Sequence, residues 1–186
     1  MFSLRPFIPL LFVPAATGLV WQCWQTPLLA ERLLSGGLLL FCIELAIMAR
    51  VDFENIHAVT LQAEDSRLGH FYQIVFSTVV LELLGFYGAA ISLQWGGVLI
   101  IVSQLWFNLL AKVQLFPGQS PAVVAFGIPE RVPVLLANGV GLMLLGVWFV
   151  QSIRIWLAAG LLGLIIIFLL LKYIVLRKST QQHYTE

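Results

Sequence analysis

The sequence predicts an all-α integral membrane protein of about six transmembrane helices, with short outer loops and two larger loops on the cytoplasmic side. Three observations carry that expectation. Of 186 residues, 60% are hydrophobic and only 10% charged, where soluble domains carry roughly a quarter charged residues. The mean hydropathy is +0.97. The apolar residues also fall into runs near the length of about 20 residues that a helix needs to cross a hydrocarbon core about 30 Å thick. Little chain is left over for a soluble domain, so residues 1–186 read as a single polytopic membrane domain. A formal net charge of +1, with no basic block, argues against nucleic acid as a partner.

The runs lie near residues 7–25, 28–49, 71–91, 93–111, 134–151 and 155–176. Pro9 and Pro14 interrupt the first, and FIPLLFV after Arg5 also reads as the apolar region of a signal peptide. The run nevertheless continues through GLVWQCWQ with no clean small-residue cleavage site. Thr26 and Pro27 suit an N-cap and first turn for the second helix.

Lys and Arg set the orientation. Six spans put Arg5, Arg50, Arg67, Lys112, Arg131, Arg177 and Lys178 on one side, with Lys172 within snorkelling reach, against Arg32 and Arg154 on the other. Both termini are therefore expected on the cytoplasmic side, or the stromal side of a thylakoid. Trp21, Trp24, Trp95, Trp148 and Trp156 fall at the opposite helix ends, where indoles favour the headgroup layer. That topology separates Cys23 from Cys42 by much of the membrane, too far for a disulfide.

One carboxylate, Glu82, stands inside the apolar run VVLELLGFYG. At 100° per residue, Thr78, Glu82, Gly85 and Ala89 share a small, polar face of the third helix, while Val79, Val80, Leu83 and Phe86 lie off it. Intramembrane carboxylates face the bundle interior, where a donor can be found. In the fourth helix Gly97, Ile101, Gln104, Asn108 and Lys112 form a comparable stripe, and the short turn before it makes the two helices antiparallel neighbours. Gln104 matches Glu82 in depth. Glu44, Glu82, Gln104, Asn108 and Asn138 are thus candidates for an intramembrane polar site open toward the cytoplasm. The plainer alternative is an interhelical hydrogen bond between a protonated Glu and Gln, worth roughly 0.6 kcal/mol on average.

The first inner loop, RVDFENIHAVTLQAEDSRLGH, reads as a separate amphipathic helix on the membrane surface, capped by Asp52, with Ser66 capping the third transmembrane helix. Phe53, Ile56 and Val59 form its apolar side, a candidate docking face. Glu54 and His57 have the ExxH spacing that di-iron proteins use twice, but a single copy without HExxH or HxxxH assigns no metal. The second inner loop, FPGQSPAVVAFGIPERVP, holds too many prolines for a long helix and too many apolar residues for water, so it reads as a re-entrant or interfacial segment. Pro129, Glu130 and Arg131 suit the start of the fifth helix.

No GxSxG, P-loop or multi-histidine box is present. The sequence therefore points to no catalytic residue, no cofactor and no metal. The expected function is a non-catalytic small subunit or assembly factor that docks on a larger membrane complex. A small proton- or cation-coupled transporter or channel using Glu82 is the alternative. Expected partners are other membrane proteins, a second copy of the chain, or lipids, with the small-residue stretch Ala159 to Gly163 as a further packing face.

Overall fold

A computed structural model describes residues 7–62, 64–116, 122–148 and 153–182. It contains α1 (Ile8–Gln25), α2 (Leu29–Thr60), α3 (Arg67–Ala89), α4 (Leu93–Leu110), a short antiparallel hairpin of β1 (Val113–Phe116) and β2 (Ala122–Ala125), α5 (Val132–Val147) and α6 (Arg154–Gln182). The fold is all-α apart from that hairpin. Four helical stretches are long and apolar enough to cross a membrane: Leu29–Thr60, Arg67–Ala89, Leu93–Leu110 and Pro129–Val147. The apolar part of α6, Arg154–Leu170, is shorter, and α1, diluted by Pro14 and the polar run WQCWQ, is not among the four. Six spans are thus not established, although six long helices lie where the hydropathy placed them. Arg5, residues 117–121 and 149–152, and the side chains of Lys172, Arg177 and Lys178 lie outside what is described.

Local chemistry explains most of the boundaries. Pro9 sits in the first turn of α1, where its missing N–H costs nothing. Pro14 lies inside the same helix, which continues unbroken and packs through Ile8, Phe12, Ala15 and Leu19. Thr26 does not cap α2. It ends α1, and its carbonyl accepts from Arg32 Nε, so α2 starts only at Leu29.

The largest departure from the sequence reading is α2 itself. The expected surface helix is not separate: 32 residues run continuously from Leu29 to Thr60, about 48 Å at 1.5 Å per residue. Nothing between Ala49 and Thr60 breaks a helix. Asp52 is an interior residue rather than a cap, and Arg50 bonds Glu54 one turn later at 2.7 Å. Ser66 likewise makes no side-chain cap on α3. Asp65 performs that task, accepting the backbone N–H of Arg67 at 2.8 Å and its guanidinium at 2.6 Å.

The extension of α2 creates a second apolar cluster at the end of the bundle that carries Arg50, Arg67, Lys112 and Arg131, here termed the basic end. Ile56 and Val59 meet Leu68, Phe71, Ile74 and Val75 of α3 and Val113 and Leu115 of β1. Phe53 packs edge-on against Tyr72 at 5.7 Å. Of the candidate docking face, Ile56 and Val59 are buried against the chain's own α3 and hairpin, Val59 at 0% exposed, while Phe53 is half-buried at the edge of that cluster.

The second loop, with no long helix, folds into a hairpin. AVVAFGI supplies β2, paired from Val113↔Ala125 to Phe116↔Ala122, because alternation in VQLF turns Val113 and Leu115 inward and Gln114 and Phe116 outward. Arg67 Nη2 donates to Val123 O at 3.0 Å and ties the hairpin to α3. Pro129–Arg131 form one 3-10 turn, and α5 begins after it at Val132. At the opposite end Trp21, Trp24, Trp95 and Trp156 are exposed, but Trp148 is buried beneath the guanidinium of Arg154.

Close backbone approach of α3 and α4 fixes the centre of the molecule. A Cβ at Gly85 would lie 2.6 Å from Ile100 Cγ1, and one at Gly96 would meet the backbone of Ala89. Only glycine fits either place.

Candidate functional site: a buried carboxyl–carboxamide pair

The tight α3–α4 contact brings Glu82 and Gln104 face to face. Glu82 is 4% exposed, and Gln104 Nε2 donates to its Oε1 at 2.7 Å. Thr78 and Ala89, on the same face of α3, are buried as well, and so are Val79 and Phe86 beside it. The buried arc of α3 is wider than the polar stripe alone. Thr78 turns its hydroxyl back onto its own helix, donating to Ile74 O at 2.8 Å.

Each remaining candidate has a distinct position. Asn108, one turn along α4, donates to Gln104 O at 2.8 Å and so steadies the turn that carries Gln104. Asn138 of α5 shares a cleft with Gln104; its buried Nδ2 has no hydrogen-bond partner among the described residues. That cleft, of about 80 Å³, is otherwise apolar and lies between α2, α4, α5 and α6. Glu44 is half-buried on α2 and is not part of the walls of this cleft or of the cavities beside Glu82.

Asp52 joins the site in its place. A cavity of about 30 Å³ between α2, α3 and α4 is bordered by both Glu82 and Asp52, with Thr78 and Gln104. A site of that size holds a water or two, each needing two to four polar partners. A second cavity, of about 230 Å³, shares Met48, Asp52 and Phe107 with the first and adds Asn55, Asn108, Gln114 and Arg131. A third, of about 250 Å³, shares Asn108, Phe126 and Arg131 with the second and is bordered by the exposed Lys112. Three cavities that share wall residues, each with some polar groups among mostly apolar ones, thus follow one another from Glu82 to the basic end. Toward the other end Glu82 is followed by buried apolar packing, with Phe12 and Phe86 in edge contact at 6.0 Å, while the apolar cleft beside Gln104 lies past Ile100 on the other side of α4.

The sequence reading missed Asp52 because it ended the second transmembrane helix at residue 49. Carrying the helix through without a break places Asp52 two turns beyond Leu45 on the same side, a relation visible in the absence of Gly and Pro. Among the described residues no group of three or more His, Cys, Asp or Glu could hold a metal ion, and Glu54 of the ExxH pair is engaged by Arg50. Cys23 and Cys42 are both free thiols. Compared with protein-family models, with curated proteins and with solved structures, the chain matches none.

Proposed function

We propose that this chain is a non-catalytic multi-pass membrane protein in which Glu82 exchanges protons with the aqueous phase at the basic end, as the core of a small proton-coupled transporter. In this reading α1 and α6 complete six spans and both termini face the cytoplasm, in keeping with the excess of Lys and Arg on that side. The observation that carries it is the succession of cavities, sharing Asp52, Asn108 and Arg131 on their walls, that lies between Glu82 and the basic end. A structural tie between α3 and α4 has no need of such access.

Two features narrow the reading. The buried apolar packing of Phe12 and Phe86 beyond Glu82 disfavours a continuously open pore and favours one-sided loading followed by a rearrangement. Arg131, buried on the walls of the two larger cavities, repels metal cations by Coulomb interaction, whereas a proton passes between waters and carboxylates. Protons therefore fit better than metal ions.

Docking on a larger complex is the second reading, and one observation favours it. Gly139 and Gly146 on α5 face open space, and only Gly141 and Leu145 of that helix are buried, so α5 has small residues free for another transmembrane helix.

The test is chemical. An apolar carbodiimide attacks protonated carboxyls, so in native membranes it should modify Glu82, as mapped by mass spectrometry, with labelling that falls as pH is raised on the basic-end side only. Labelling that ignores the pH on that side would contradict exchange through the cavities.

A further inference from the structure

Arg131 is a buried cation that makes no ion pair among the described residues, the neighbouring Glu130 acting on it only at longer range. It is 4% exposed, yet no carboxylate oxygen lies within ion-pair distance of it among the described residues. Its Nη1 donates to the carbonyls of Phe107 and Asn108 at 3.3 and 3.0 Å, at the C-terminal end of α4, where partial negative charge collects. The guanidinium carbon lies 4.8 Å from the ring centroid of Phe126 and 5.9 Å from that of Phe107. Its Nε is buried with no hydrogen-bond partner. Two carbonyls and two ring faces offset part of the cost of burying this charge, but an uncompensated buried charge is strongly destabilising, and one donor is left over.

The surroundings indicate what completes it. Arg131 borders two cavities of about 250 and 230 Å³, each far larger than a single water needs. Lys112 borders the larger one from its exposed position, and Asn108 and Gln114 add neutral polar groups in the smaller. Asp52 is the one carboxylate on these walls, on the far side of the second cavity and toward Glu82. The planar fork of a guanidinium matches phosphate oxygens, and basic pockets between transmembrane helices near the cytoplasmic surface accept anionic headgroups. We infer that Arg131, assisted by Lys112, binds a phosphate-type anion in the cavity at the basic end, supplied either by the headgroup of an anionic membrane lipid or by phosphate from solution.

Thermal unfolding of the purified full chain in neutral detergent tests the inference, with phosphatidylglycerol, phosphatidylcholine, inorganic phosphate or matched chloride added in turn. Phosphatidylglycerol should raise the midpoint more than phosphatidylcholine does if the source is a lipid; inorganic phosphate should raise it above chloride if the source is soluble. Lys112→Gln, an exposed change that leaves the fold intact, should weaken the effective ligand at least 3-fold. Arg131→Lys keeps the charge but loses the fork, and should weaken it at least 10-fold. Native mass spectrometry of the parent should show one retained anionic lipid in the lipid case. The inference is overturned if neither anion shifts the parent, or if the parent and Lys112→Gln respond with equal affinity.

Discussion

Replacing Gly96 by Ala tests how the α3–α4 contact holds the central pair. The added Cβ would meet the backbone N and Cα of Ala89 and sit 2.6 Å from its Cβ, where carbon atoms normally approach to about 3.5–4.0 Å. The helices must part by about 1 Å, and overpacking of this kind costs about 1–3 kcal/mol. Alanine is also a better helix former than glycine by up to about 1 kcal/mol, so the raw effect understates the clash. Gly139→Ala provides the correction, because nothing lies within 4 Å of its added Cβ. The difference in stability between the two variants should therefore be about 1–3 kcal/mol, read as retention of folded protein on heating in one detergent. Gln104 lies eight residues along α4, about 12 Å from the wedge, and its 2.7 Å bond to Glu82 should lengthen. Equal stability of Gly96→Ala and Gly139→Ala would refute the close-packed hairpin.

The triple change Phe53→Ser, Ile56→Ser, Val59→Ser should unfold the basic end rather than release a partner, since each large apolar side chain fully buried contributes about 1.5–3 kcal/mol; unchanged thermal stability would return these residues to the surface. The side-chain hydrogen bond from Arg67 holds the Asp65 carboxyl down from 3.8 to about 2. A depressed acid stabilises the fold at pH above its unfolded value and loses that effect as pH falls through its folded value. Amide exchange in the first turn of α3 should thus stay protected as pH drops below about 3.8 and rise only near about 2; Asp65→Asn should abolish this dependence. For topology, with Cys23 replaced and Cys42 fully buried, Thr60→Cys should react with an impermeant reagent only from the cytoplasmic side and Ile153→Cys only from the opposite side.

Much of the centre was legible in the sequence because a 100° step per residue is enough to place Glu82 inward and the short turn at residues 90–92 to bring Gln104 opposite it. Depth and neighbour followed from connectivity alone. The basic end was not legible, for two physical reasons. Polar residues from Arg50 onward looked like the end of a membrane span, but lack of apolarity does not end a helix, and no Gly or Pro intervenes before Thr60. The apolar side of that extension then found its cover in a hairpin remote in sequence, a tertiary contact that no local pattern records. Asn138 was placed at the right depth, yet its approach to Gln104 depends on how α5 leans on α4 through Gly97 and Gly141, where added Cβ atoms would come within 3.1 Å of Leu145 and 3.0 Å of Ile101. Trp148 stands at a helix end as expected but is covered by the protein itself, with the guanidinium of Arg154 over its ring.

Proton flux through the purified chain in sealed vesicles tests the central claim most directly. Dissipation of an imposed pH gradient should be compared for the parent, Glu82→Gln and Glu82→Leu. Gln retains the shape and hydrogen-bonding capacity of a protonated Glu without its ability to ionise, so Glu82→Gln should fold like the parent and lose flux. Leu leaves Gln104 without its acceptor, at a cost of about 1–3 kcal/mol, and should lose stability as well. Flux in the parent that disappears in a stable Glu82→Gln protein is the predicted result; flux that survives in Glu82→Gln, or none in the parent, would contradict a proton-carrying role and leave Glu82 as a tie between α3 and α4.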